Sequence, residues 1–379
     1  LGKGKTEDKE KRTGAEMKDS REKEIVVILG AGLSGRGYLA RQLDPERFEL
    51  VFLDKNRDLV ERLVLEGRYE ICFFGEKREK QVIKDYQAYV TGALEGERLL
   101  QSASYLFICV GQEHLEEASA YAAGVLGSSP DRLRAVIAAE NGTDSLEKMR
   151  KHFCFQDSLL TECLMLCTTT GTEGELTIWS EDMDYLPYDS SVFMKKIPFK
   201  YFVPWENFSS LVRRKIYTYN TLSACIAYLG AYKGYTNYGH AAMDTEIFAV
   251  TDQLECALNQ AVCQAYQVDE QEQAAFSALA KQKFRNQEIS DTISRNARNV
   301  LRKLGPGERI TEPFRLIKCS QSNPKPLILT AAAAMLYGVC QEGLEETVLA
   351  ERLDAQMKEL VMECYNRLKK GISVTKAME

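Results

Sequence analysis

Short apolar runs and longer amphipathic stretches divide this chain of 379 residues into two regimes. Up to about Pro204, strand-like runs alternate with helical stretches; from Glu206 onward the pattern is almost wholly helical. Residues 25–29 (IVVIL) are an apolar, β-branched run of the kind that makes a strand buried on both faces of a parallel sheet. Residues 50–53, 105–110 and 135–139 read as further strands, running into Asp54, Gly111 and Glu140-Asn141-Gly142. Residues 175–179 look like one more strand, and 194–201 like an irregular stretch. Helices are predicted over 207–229, ending at Gly230, and over 244–267, 271–283, 289–304, 326–337 and 344–369, with Gly305-Pro306 closing the fourth. There is no internal repeat.

The turn after the first strand carries chemistry. Gly30 lets the chain turn, Gly32 lets the backbone approach a pyrophosphate, and Gly35 lets the following helix pack on the strand. The N–H groups opening that helix would face phosphates. Asp54, ending the second strand, offers a carboxylate to ribose hydroxyls. That favours NAD, because a 2′-phosphate would be repelled; Lys55 beside it argues the other way. Leu33 and Ser34 within the turn, Asn56 after Asp54, and Val110, Gly111 and Glu140 at the later strand ends complete the candidate cofactor site. Strand, turn, amphipathic segment, second strand and terminal acid fall within about 30 residues, the size of one βαβ unit. The bland alternative is a nucleotide-free α/β domain with a glycine turn. The expected fold is an α/β Rossmann domain over 25–204, doubly wound with a mostly parallel sheet and extra strands near its end. An all-α domain over 205–379 follows, with substrate in the cleft between them.

Composition narrows the partners. The net charge is −6, from 49 basic and 55 acidic side chains, so nothing in the overall balance predicts nucleic-acid or anionic-membrane binding. No stretch approaches the roughly 18 consecutive apolar residues of a membrane span, and the charged start lacks the apolar core of a signal peptide. A cytoplasmic location is expected. Residues 1–24 hold few apolar side chains and read as a disordered charged tail. Eleven cysteines are scattered singly and read as reduced. Cys163 and Cys167 lack a second Cys or His pair, so no metal is expected.

The helix over 207–229 carries Lys215, Asn220 and Ser223. At about 100° per residue, Asn220 lies about 140° from Lys215 with Ser223 between them, on one broad face. A lysine among apolar neighbours is a usable general base, and an amide NH₂ suits a developing alkoxide. Asn141 is a candidate second amide. Alternatively, Lys215 continues the basic run of Arg213-Arg214 on a solvated face, and Asn220 is an ordinary polar position. Arg295, Arg298 and Arg302 recur within about 60° on one helix face with Lys303 beside them, either as a clamp for a substrate phosphate or as a solvated basic face.

The segment RKIYTYNTLSACIAYLG, 214–230, resembles the catalytic helix of the polyol-specific long-chain dehydrogenases. GAGLSGRG at 30–37 is similar to that family's GAGNIGRG, Asp54-Lys55-Asn56 to its DVN, Glu140-Asn141 to its CEN, and 284–304 to its RFENP…RVGRQPLRKL stretch. The resemblance spans about 25–337. It implies a Rossmann domain and a helical domain, no metal, and hydride transfer between nicotinamide and a carbon of a sugar alcohol or sugar phosphate. By it, Lys215 is the acid/base and Asn141 and Asn220 hold the reacting oxygen. One departure matters: where the family's helix carries KxxxxNxxH, this chain has Ser223, which is shorter and cannot shuttle a proton near neutral pH. Gln287, Ala297 and Val300 replace a proline, a glycine and a proline in the last matching stretch. Two rivals follow: a sibling reductase of an unphosphorylated or carboxylated sugar, and a dinucleotide-binding protein with little catalysis. His114 falls beyond a strand end, and His240 follows the catalytic helix.

Overall fold

The computed structural model describes residues 22–378 other than 76, 77, 129, 156, 192, 194 and 290. The expected tail lies outside the described residues except for residues 22–24, and Glu24 already opens the first strand. The strands are β1 (Glu24–Leu29), β2 (Phe48–Asp54), β3 (Arg68–Phe73), β4 (Gln81–Lys84), β5 (Tyr86–Val90), β6 (Tyr105–Ile108), β7 (Ala135–Glu140), β8 (Leu160–Leu164), β9 (Thr169–Thr170), β10 (Ile178–Ser180), β11 (Leu186–Asp189) and β12 (Phe202–Trp205).

Eight of them form one sheet in the order β12-β11-β8-β7-β6-β1-β2-β5. It is parallel from β8 to β5 and antiparallel only at β8–β11. Ile28 faces Phe52 on one side and Phe107 on the other. Alternate side chains enter separate cores: Val26, Ile28, Phe52 and Ile137 pack with Phe199 and Phe202, while Val27, Leu29, Val51 and Ile108 pack with Leu100, Leu115 and Leu126. Strand order reverses at β1, since the chain runs outward through β2 and β5 and returns to build β6, β7 and β8 on the other side. Ligands of open α/β sheets bind beyond the strand ends at such a reversal. A second sheet, β4-β3-β10-β9, flanks the turn after β1. Buried Arg36 ties the two together, donating to the Ala31 carbonyl at 2.7 Å and the Leu176 carbonyl at 2.8 Å.

From Phe208 onward every named element is helical. Lys325–Glu342, with Ala331 to Ala334 all buried, packs against Thr221–Tyr232 and Ala355–Lys369. Several boundaries differ from the sequence expectation. β6 stops at Ile108, and β10 is Ile178–Ser180 rather than 175–179. Gly230 does not end its helix, which runs on to Tyr232. The glycine serves packing, because a Cβ there would meet Ile293 at 2.7 Å and Ala241 at 2.8 Å. The helix expected over 289–304 is two short ones, Ile293–Ala297 and Val300–Lys303, broken at Asn299 (φ 63°). The Glu342 carboxylate accepts from the N–H groups of Asn299 and Val300, at 2.6 and 3.0 Å, and caps the second piece. Residues 344–369 likewise divide into Glu346–Ala350 and Ala355–Lys369, with Asp354 capping the latter.

Candidate active site

The first glycine turn is shaped by backbone contact. Gly30 has φ +104° and donates to the Leu53 carbonyl at 2.8 Å, and a Cβ on it would lie 2.1 Å from the Cys109 oxygen. A Cβ on Gly35 would lie 2.3 Å from the Gly30 oxygen, so the next coil sits directly on the turn. At Gly32 a Cβ would meet nothing within 4 Å. A cavity of about 220 Å³ opens there, bordered by Gly30, Gly32, Asp54, Val110, His114 and Tyr121 among others. The coil after the turn holds a π turn, Gly35–Leu39, and a 3-10 turn, Ala40–Gln42, instead of a regular α-helix. Leu33 packs partly buried on the sheet core, and the Ser34 hydroxyl lies 3.5 Å from that of Thr169.

Asp54 stands at the cavity rim with one oxygen accepting from the Ala31 N–H at 2.7 Å and the other from the Asn56 N–H at 2.8 Å. Asn56 caps the helix Arg57–Glu66 through Leu59 N–H at 3.1 Å. Glu140 accepts from the N–H groups of Gly111, at 2.7 Å, and Val110. Burial pushes its carboxyl up to about 7 against those bonds. The residues therefore fit a dinucleotide: an open backbone cradle, a carboxylate beside it, and strand ends locked around it.

Lys215 reaches these strand ends from the helical half. It is 7% exposed. Its ammonium donates to the Asn141 side-chain oxygen at 2.6 Å and the Met165 carbonyl at 2.9 Å. Burial lowers its pKa well below the ordinary lysine value, and the cations of Lys283 and Arg309 lower it further. The solvated-face alternative for Lys215 is thus excluded. The expected single helix is Phe208–Lys215, a π turn over Ile216–Asn220, and Thr221–Tyr232. A π turn, with its i→i+5 bonding, swings Asn220 closer to the Lys215 face than the α-helical spacing implied. Asn220 is half-buried there. Ser223 lies farther along, its Oγ accepting from the Tyr238 hydroxyl at 3.0 Å.

The proposed phosphate clamp does not form one face, because Asn299 breaks the helix that would have aligned it. Arg295 pairs with Asp291 at 3.1 Å and donates to the Thr169 carbonyl at 3.3 Å. Arg302 pairs with Glu308 at 2.8 Å, and Arg298 is exposed. Lys303 is buried, donating to the Asn296 carbonyl and lying 5.7 Å from the Tyr228 ring centre. Burial pushes its pKa down to about 6.

Sequence reasoning passed over Lys283, which stands one residue before the matching stretch. Its ammonium pairs with Glu181 at 2.7 Å and donates to the Leu166 carbonyl at 2.7 Å. Consecutive carbonyls, Met165 and Leu166, thus hold Lys215 and Lys283. Arg309 was also passed over; the Thr221 hydroxyl donates to its carbonyl at 2.7 Å, fixing its loop against the π turn. His114 borders the cavity beside Gly32 at the start of the helix Leu115–Leu126, and His240 is exposed. Among the described residues no cluster of three or more His, Cys, Asp or Glu is placed to hold a metal, and no helix is long and apolar enough to cross a membrane.

A parallel sheet with a glycine turn and a cavity-facing carboxylate at its reversal, met by a buried lysine–amide pair, is the two-part architecture of a dinucleotide-dependent dehydrogenase. Residues 207–378 match the family model of the mannitol dehydrogenase C-terminal domain. The helical half of the chain is thus similar to that of the mannitol dehydrogenase family. It is 29% identical over 366 residues to a mannitol-1-phosphate 5-dehydrogenase of Anoxybacillus flavithermus, covering 91% of this chain and 95% of that one. It is 25% identical over 380 residues to a protein of the same name from Exiguobacterium sibiricum, covering 90% and 97%. Its fold is shared with Pseudomonas fluorescens mannitol 2-dehydrogenase in ternary complex with NAD and D-mannitol, at TM-score 0.75 and 12% identity over 94% of each chain. A substrate-free D-sorbitol dehydrogenase gives TM-score 0.70 at 12% identity, covering 94% of this chain and 95% of that one.

Proposed function

We propose that the chain is an NAD-dependent polyol dehydrogenase, interconverting a sugar-alcohol phosphate and the corresponding ketose phosphate. The observation that carries this is the buried Lys215 ammonium held 2.6 Å from the Asn141 amide oxygen at the end of β7. The dinucleotide, when bound, supplies or accepts the hydride. Gly30 and Gly32 would cradle its pyrophosphate, and Asp54 would take its ribose hydroxyls. Lys215 takes the proton of the alcohol in oxidation and returns it in ketose reduction, its lowered pKa making the neutral amine accessible. With Lys215 donating to it, Asn141 has its oxygen on the lysine and its NH₂ free to turn toward the reacting oxygen, where Asn220 provides a second amide.

The names of the relatives from Anoxybacillus and Exiguobacterium support a phosphorylated substrate. A second reading, an unphosphorylated sugar, is favoured by the dispersal of Arg295, Arg298, Arg302 and Lys303, three of which engage protein partners. NADH oxidation with fructose 6-phosphate, fructose and hexuronates, with Lys215→Ala as control, tests both. Turnover that requires the phosphate and is lost in the control supports the first reading. Equal turnover of fructose supports the second. NADH binding without any turnover overturns both and leaves a non-catalytic dinucleotide-binding protein.

A further inference from the structure

The Tyr238 hydroxyl donates to Ser223 Oγ at 3.0 Å. Both residues border a cavity of about 70 Å³ whose other walls include Thr168, Lys283, Asn286 and Asp291. About 10–15 Å³ of such space already admits a water, so the cavity has room for a hydroxylated carbon. Every polar group named on its wall can bond an alcohol. The cavity adjoins the chemistry, because Lys283 on its wall and Lys215 are held by consecutive carbonyls, Leu166 and Met165. Their Cα atoms are about 3.8 Å apart.

Tyr238 is held rigidly. Its side chain is buried, its ring meets Phe284 edge-on at 6.0 Å, and its N–H donates to the Asp291 carbonyl at 3.0 Å. Asn237 before it forms an isolated bridge with Thr292. Because Ser223 Oγ already accepts the Tyr238 proton, its own proton is directed to another acceptor. We propose that Ser223 and Tyr238 form one neutral substrate subsite, in which the tyrosine orients the serine hydroxyl to donate to a hydroxyl oxygen of the polyol or ketose next to the reacting carbon. This rests on the polyol dehydrogenase reading above. It assigns Tyr238 a specificity role that the motif KxxxxNxxH does not contain, and it accounts for how serine works where that motif has histidine. Burial raises the Tyr238 phenol pKa, so it remains a donor at working pH.

The test is a steady-state comparison of wild type, Tyr238→Phe, Ser223→Ala and the double variant, with NADH and either fructose 6-phosphate or fructose. Each single variant is expected to raise the sugar KM about tenfold, the net worth of about one hydrogen bond. The KM for NADH should stay within about twofold. The double variant should fall short of the product of the two single effects, because the hydroxyls act as a pair. A sugar KM unchanged in Tyr238→Phe, a matching rise in the NADH KM, or fully multiplicative effects would each overturn the subsite while leaving the dehydrogenase reading intact. A wild-type protein that turns over neither sugar overturns that reading, and the subsite with it. If Tyr238→Phe fails to fold, Ser223→Ala decides by the same split between sugar KM and NADH KM.

Discussion

Lys215 and Asn141 are 74 residues apart in sequence, yet the lysine ammonium donates to the amide oxygen at 2.6 Å. The contact joins the helical half to the end of β7 and fixes which way the amide faces. Neither residue does the same work alone: the amide is oriented by the lysine, and the lysine is held by the amide and the Met165 carbonyl.

Replacing Lys215 with alanine is therefore expected to lower kcat by about 10² to 10⁴, the usual worth of a positioned acid/base. Asn141→Ala should cost about 10², through loss of one donor to the reacting oxygen and of the lysine's anchor. NADH affinity, read by fluorescence titration, should change little in Lys215→Ala. A comparable loss of NADH binding would place Lys215 in the cofactor site instead.

The lowered Lys215 pKa gives opposite pH limbs in the two directions. Polyol oxidation needs the neutral amine and falls as pH drops through that pKa, whereas ketose reduction needs the ammonium and falls as pH rises through it. Lys283→Gln removes a cation that depresses Lys215, so both limbs should move to higher pH. Profiles of kcat/KM in each direction read this directly, and limbs that stay in place would remove Lys283 from the account.

Asp54 binds the glycine turn and the next helix cap as well as facing the cavity. Asp54→Asn keeps an acceptor for one of those two N–H groups, which now go to different carboxylate oxygens, while removing the charge that repels a 2′-phosphate. The expected result is a rise of about tenfold or more in the NADPH to NADH ratio of kcat/KM, about 1.4 kcal/mol. A lower melting temperature with an unchanged ratio would assign Asp54 to the turn alone.

How much of this was legible in sequence follows the range of the forces involved. The apolar run before Gly30 and the spacing of Gly30, Gly32 and Gly35 report local sterics, so the strand and turn could be read without tertiary information. Asp54 and Asn141 were legible because strand ends bring their flanking residues to one edge. The arginine stripe misled because 295–302 reads as helix on local pattern, while Glu342, which caps Asn299 and Val300, lies more than forty residues away. The pairing of Lys283 with Glu181 and of Tyr238 with Ser223 depends on how the helices dock, and no periodicity in either segment encodes it.

Glu140 ties folding to pH. Its carboxyl titrates near 7 in the folded chain against an ordinary 4.5, so the folded state holds the proton more tightly. Its contribution to stability is whole below about pH 4.5 and is lost as pH rises through about 7. The full difference is about 3 kcal/mol. Glu140→Gln retains an acceptor for Gly111 and Val110 and cannot ionise. Between pH 5 and 8 its urea midpoint should therefore gain on that of the wild type; parallel midpoints would mean that Glu140 is already ionised when folded.

Restoring histidine at position 223 is the change the motif invites, and the structure argues against making it alone. The Tyr238 hydroxyl sits 3.0 Å from Ser223 Oγ, within the volume an imidazole would need. Crowding a buried side chain such as Tyr238 costs about 1–3 kcal/mol. Ser223→His should therefore lower the melting temperature and reduce turnover. Ser223→His with Tyr238→Phe removes the hydroxyl from that volume while leaving the buried ring in place, and should recover stability relative to Ser223→His, in addition to whatever turnover the imidazole supplies. Thermal melts of the two variants decide the steric part independently of activity. If Ser223→His alone is as stable as wild type, the Tyr238 ring moves aside readily and its hydroxyl is not the fixed orienting group inferred above.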